Sequence, residues 1–333
     1  MSKRWGSQGY AGAEIALLTQ HGKQQVIAPL VYRALGARVQ VVTGFDTDAF
    51  GAFTRDVARL GSQLDAARKK AMVGMELSGL SVGLGSEGSF GPGFGGFGPW
   101  NLELLVLLDA VRGIEILGRG YAPARHCHAL VADQKALEAL ARRAGFPEHG
   151  LVVRPDGPAG QPVFKGIRAL PELNRFLSEA LRLSSTGSVF VENDLRAHFN
   201  PTRMTNIEAA ARDLVARAAS HCQACSAPGF GLISRTPGLP CRDCGAATDV
   251  TRAELHGCVA CDHREILGVD LSQTADPACV GYATPDPRSR LSFTQRMCSF
   301  GGIAGPLSTL PESLARMRRK PSACQARNFS FVP

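Results

Sequence analysis

Apolar residues recur along this chain in two alternating rhythms. Ile15 to Thr19 is a short apolar run that ends in the polar turn TQHGK. QQVIAPLVYRALG follows with apolar residues three and four apart and a glycine stop, which predicts a strand feeding a helix. ARVQVVTGF predicts a second strand, and TRDVARLGSQLDAARKKAMVGMELSG a helix with basic residues late in the run. LSVGLGSEGSFGP predicts a strand that breaks into a glycine-rich loop, and NLELLVLLDAVRGIEILGRG a hairpin around Arg112-Gly113. Further strands are predicted in RHCHALVA, HGLVVRP, VFKGI and SVFVENDLRAHFNP, and helices in DQKALEALARRAG, LPELNRFLSEALRLS and IEAAARDLVARAAS. Thr205 and Glu208 have the spacing of a capping box for the last helix. Strands alternating with helices predict an α/β fold, and the hairpin makes its sheet mixed, flanked by helices. The expected division is an α/β core over 13–220, a cysteine-rich module over 221–282 and a disordered basic tail over 283–333.

Composition fits a soluble globular chain, with 44% hydrophobic and 20% charged residues. No apolar run reaches the roughly 18 residues that a membrane span needs, and the first residues lack the apolar core of an export signal. The expectation is a cytoplasmic protein with no membrane partner. The net charge is +8, but from Ala283 onward eight Lys/Arg face only Asp286 and Glu312, so that stretch holds six of the eight charges. The rest is close to neutral, which argues against a nucleic-acid-binding surface.

Six of the ten cysteines form three C-x-x-C pairs, a spacing read as metal ligation where no export signal is present. Cys222/Cys225 and Cys241/Cys244 are 15 residues apart, the spacing of a zinc ribbon with a structural zinc ion. Cys258/Cys261 and Cys279 supply three ligands of a second site; Tyr282 stands where a fourth thiol would be expected, with His256 or His263 as substitutes. A cross-paired arrangement, first knuckle with third, is the open alternative.

Other polar residues have the types that chemistry needs. TQHGK joins a strand to a helix start, so Thr19, His21 and Lys23 would seat a phosphate. Glu87 between small residues, and Asp46 and Asp48 in FDTD, would reach a divalent ion or a ligand. His126 and His128 flank Cys127 as a chelating pair. In VENDLRAHFNPTRM, counting by twos along a strand lines up Glu192, Asp194, Arg196 and His198 on one face, with Arg203 beyond. Two carboxylates side by side ask for a cation between them. The expected site has Glu87, Glu192 and Asp194 on Mg2+ or Mn2+, His198 as base, and Lys23, Arg196 and Arg203 on an anionic substrate. That is equipment for metal-dependent hydrolysis of a phosphorylated small molecule, a nucleotide among the candidates. The alternative is a non-enzymatic zinc-ribbon module, binding nucleic acid or protein beside a ligand-sensing core.

The strings LLTQHGK, GFDTDAFGAFTRD, ARKKAMVGMELSGLSVGLGSEGSFGP, ENDLRAHFNPTRM and GLPCRDCG, in this order, resemble an uncharacterised bacterial family, domain of unknown function 6671, over about residues 13–280. That resemblance implies that the polar strings belong to one site and names no substrate. Residues 14–120 more faintly resemble inosine-triphosphate pyrophosphatase-type enzymes, which cleave non-standard nucleoside triphosphates with magnesium. Here His21 stands where that family has Asn, and Lys23 comes one residue early.

Overall fold

The computed structural model describes residues 9–45, 61–93, 98–268 and 273–276. Asp46, Asp48, Cys279 and the 283–333 stretch lie outside the described residues. The chain divides into two compact units. The larger is built from Tyr10–Val111 and Leu117–Val215; the smaller takes Arg112–Ile116, Gly9 and the described residues from Ala216 on.

The larger unit holds two sheets, apart from residues 114–116 of the first. In the first, β1 (Glu14–Leu18), β2 (Arg38–Val42), β3 (Val82–Pro92), β4 (Pro99–Asp109) and β5 (Ile114–Pro123) stand in the order β2-β1-β3-β4-β5. β1 runs parallel to both β2 and β3, whereas β3 and β4 form an antiparallel hairpin, so the sheet is mixed. Helices α1 (Gln24–Leu35) and α2 (Gln63–Ser78) are the crossovers that the parallel strands require. The second sheet is antiparallel and was not foreseen as separate. It contains β6 (His128–Val131), β7 (Leu151–Pro155), β8 (Phe164–Ile167) and β9 (Val189–Asn193), in the order β6-β9-β7-β8. Its apolar face packs on α3 (Gln134–Ala144) and α4 (Leu170–Leu183) through Leu137, Leu140, Leu173 and Leu177.

Two expectations change. Glu87 does not sit in a loop: β3 stays paired with β4 from Val82↔Asp109 to Pro92↔Pro99. Its glycines are clearance, not breaks. A Cβ at Gly85 would stand 1.8 Å from the Ala67 carbonyl oxygen of α2, and one at Gly83 would stand 2.5 Å from Met75. The last helix, α5 (Pro201–Ala219), starts before the Thr205–Glu208 box, with Pro at its first position. Asn200 Oδ1 accepts the Arg203 N–H there, and Thr205 instead donates its hydroxyl to the Pro201 carbonyl.

The smaller unit contains the antiparallel sheet β10 (Gly231–Pro237), β11 (Thr251–Gly257) and β12 (Arg264–Gly268). None of the helices among the described residues is long and apolar enough to cross a membrane.

Candidate anion site and cysteine centre

The chain leaves β1 for β2 on one side and, through α2, returns to β3 on the other. The carboxyl end of β1 is therefore a topological switch point, the place where open α/β sheets bind ligands. TQHGK occupies it. Thr19 Oγ1 accepts the His21 N–H at 3.4 Å, and Gly22, at φ 71°, turns the chain into α1. Lys23 then reaches over the end of β1 to the part of β3 that β1 does not cover. Its Nζ donates to the Ser86 carbonyl at 3.0 Å and to Ser86 Oγ at 3.2 Å.

Two buried ion pairs flank this lysine. Glu87 and Glu103 lie on opposite faces of the β3–β4 hairpin, because Glu103 stands opposite Gly88 in the register. On one face Lys70 of α2 meets Glu87 at 2.5 Å. On the other, Arg203 of α5 donates from Nε to Glu103 at 2.7 Å and from Nη1 to the Leu195 carbonyl at 2.6 Å. Asn101 donates to Glu103 and accepts from Asn206, and Gln63 donates to the Glu87 and Leu102 carbonyls. Among the described residues each of these two carboxylates has its own cation, which leaves Lys23 as the additional cation. Burial, then the neighbouring Arg203 and Lys70, lower its pKa to about 7, with Glu103 and Glu87 opposing.

The polar row breaks where β9 ends, at Asn193, because alternation holds only while the backbone is extended. Glu192 pairs with the fully buried Arg154 at 3.1 Å, with His126 Nε2 3.8 Å from its other oxygen. His128 stands opposite Glu192 in the β6–β9 ladder, and its ring centroid is 5.4 Å from that of His126. Asp194 accepts from Arg196 Nη2 at 2.6 Å and from the Gly166 N–H at 3.0 Å. His198 instead stacks on His21, centroids 5.0 Å apart and planes 16° apart, with its Cβ beside Gly22. Burial first, then His21 and Arg196, lower its pKa to about 4, so it is neutral at pH 7.

The structure thus brings Thr19, His21, Lys23, Glu87, His198 and Arg203 to one end of the first sheet. It puts Glu192 with Arg154, and closes Asp194 and Arg196 on each other. Lys70, Glu103 and Asn101 were missed, although the signal was present. Asn101 and Glu103 share the parity of the buried Leu105 and Leu107, and Lys70 lies on the helix face of Ala66, Ala67, Ala71 and Gly74.

In the smaller unit, the sulfurs of Cys222, Cys225, Cys258 and Cys261 all lie within 4.8 Å of one another and could hold a metal ion. The grouping corrects the pairing of Cys222/Cys225 with Cys241/Cys244. Register is the reason: Gly231↔Gly257 folds the third knuckle back beside the first, while the second knuckle follows the far end of the ladder at Pro237↔Thr251. Burial pushes the Cys225 and Cys258 thiols above the ordinary range, so four thiolates would need a cation among them. Among the described residues His256 and His263 join no metal-ligating group; they pair with Glu254 and Glu265.

A scan against protein-family models matches residues 70–285 to a family described as "Domain of unknown function (DUF6671)". Searches of curated proteins and of solved structures return no match, so the likeness to inosine-triphosphate pyrophosphatase-type enzymes rests on the sequence strings alone.

Proposed function

The chain belongs to the DUF6671 family, and from that premise we propose that its larger unit is an enzyme core acting on a phosphate- or carboxylate-bearing small molecule at the carboxyl ends of β1 and β3. One observation carries the reading. Among the described residues, three buried cations, Lys23, Lys70 and Arg203, share the switch point with two carboxylates, Glu87 and Glu103, so a bound anion would complete the charge balance there. Hydrolysis of a phosphorylated small molecule is the reaction class, with nucleotides among the candidates. Lys23, half deprotonated near pH 7, is suited to moving a proton to or from a bound substrate. His198 presents a neutral imidazole stacked on His21.

Among the described candidate carboxylates, Glu87, Glu103, Glu192 and Asp194 each face a cationic side chain and so give the metal-assisted version of this reading no support. In the smaller unit the four-cysteine centre suits zinc, whose preferred structural site is a closed thiolate tetrahedron. Four sulfurs leave no open coordination position, so this ion would hold the fold and take no step in the reaction.

The test is a calorimetric titration of the full chain with inorganic phosphate, nucleotides, sugar phosphates and dicarboxylates, together with phosphate-release assays with and without Mg2+ or Mn2+. At least one anion is expected to bind with proton uptake, and K23M to weaken it about tenfold or more. Affinity should fall as pH rises above about 7, because the neutral amine gives up its attraction. A silent panel together with salt-sensitive oligonucleotide binding would transfer the case to a non-enzymatic binding module.

A further inference from the structure

The second cysteine knuckle repeats the first in its backbone. In the first, the Cys222 N–H donates to the Ala227 carbonyl at 2.9 Å and the Ser226 N–H to the Cys222 carbonyl at 2.8 Å. In the second, the Cys241 N–H donates to Ala246 at 2.8 Å and the Gly245 N–H to Cys241 at 2.9 Å. The residue before each knuckle bridges the residue seven places on: His221↔Pro228 and Pro240↔Ala247. The same position turns left-handed in both, Ser226 at φ 62° and Gly245 at φ 71°. In the first knuckle this backbone aims two sulfurs at a four-sulfur cluster. That cluster excludes Cys241 and Cys244.

The second knuckle lies beside the buried Leu239, Thr248 and Ala275, with the Thr248 hydroxyl donating to the Leu239 carbonyl at 2.7 Å. Arg242, Asp243 and Cys244 are exposed, and Cys241 is its buried side chain. A further length of chain is laid along that cysteine: Cys241 bridges Ala275, the Arg242 N–H donates to the Ala275 carbonyl, and the Ala275 N–H donates to Pro240. The first and second knuckles are separated by the β10–β11 ladder, whose seven-residue strands span about 20 Å. One ion cannot serve both.

We propose that the Cys241–Cys244 knuckle is half of a second thiolate site, preformed for a thiophilic divalent ion of the zinc class and separate from the Cys222/Cys225/Cys258/Cys261 centre. A turn that repeats the first knuckle's backbone and carries thiols at the same two positions is what a tetrahedral ion selects, and the length of chain bridged to Cys241 at Ala275 lies beside it.

The test is the metal stoichiometry of the full chain, by elemental analysis after dialysis and by Co2+ titration of the metal-stripped protein, following the thiolate charge-transfer absorption. Two ions per chain are expected, with Co2+ saturating at two equivalents. C241S/C244S should retain one, and C222S/C225S should also retain one, the other. C244H keeps a ligand: two Co2+ should still bind, with the spectrum of one shifted by the exchange of sulfur for nitrogen. That readout survives even if the double serine variant fails to fold. A single ion in the wild-type chain, or two ions left untouched by C241S/C244S together with an unshifted C244H spectrum, would overturn the proposal.

Discussion

Lys23 is the residue on which the proposed chemistry of the larger unit would turn, and its protonation is measurable without a ligand. An unfolded lysine keeps its proton up to near 10.5, whereas the folded chain releases this one near 7. Between those values folding expels a proton, so wild-type stability should rise with pH relative to K23M. The slope should approach about 1.4 kcal/mol per pH unit and vanish below pH 7, where both states hold the proton. Urea unfolding of both proteins from pH 6 to 10 checks this; a constant difference would mean that Lys23 titrates normally. The Glu103–Arg203 pair gives a second prediction. E103Q strands a buried guanidinium and should cost about 3–5 kcal/mol, while E103L/R203M should recover most of the loss. A double-mutant cycle separates these terms.

At the scale of elements, the glycines of β3 decide where α2 lies and hence where Lys70 stands. G85A would put a methyl group 1.8 Å from the Ala67 carbonyl, onto backbone that has no rotamer to yield. It should cost about 3 kcal/mol, the upper end of overpacking, and weaken anion affinity as well. The control G113A, in an open turn at φ 67° with nothing near, should cost about 1–2 kcal/mol from its left-handed backbone alone and leave binding intact. Denaturation and calorimetry on both variants test the pair. The sequence pattern located these elements well, since periodicity is a local signal. It misread LSVGLGSEGSFGP because glycine weakens a strand in isolation, and only the helix packed above shows why glycine is needed. The polar row failed because its alternation was carried past Asn193-Asp194, a turn-forming pair at which the strand stops.

For the whole molecule, the two units differ in what holds them. The larger has leucine- and isoleucine-rich layers on its sheets. The buried cluster at the cysteine centre consists of Cys222, Cys225, Ala227 and Cys258, so its core is largely the thiols that could hold an ion. Binding an ion there is worth about 10 kcal/mol or more in small zinc-dependent folds. Chelation should therefore expose the stretch from Ala216 to Gly268 to protease while residues 117–215 stay protected. Limited proteolysis with mass mapping reads this directly. Protection of both units after complete metal removal would show that the smaller one folds on its own.

Periodicity, glycine and proline punctuation and C-x-x-C spacing sufficed to establish strands alternating with helices, a mixed sheet and a thiol-rich module. Each of these depends on neighbours within a few residues. Which cysteines cluster, which carboxylate meets which cation, and which buried amine meets no carboxylate partner among the described residues were decided by tertiary structure alone. Those partners lie tens of residues apart, and a one-residue change of register or a strand's end moves a side chain to the other face. No local pattern records that choice.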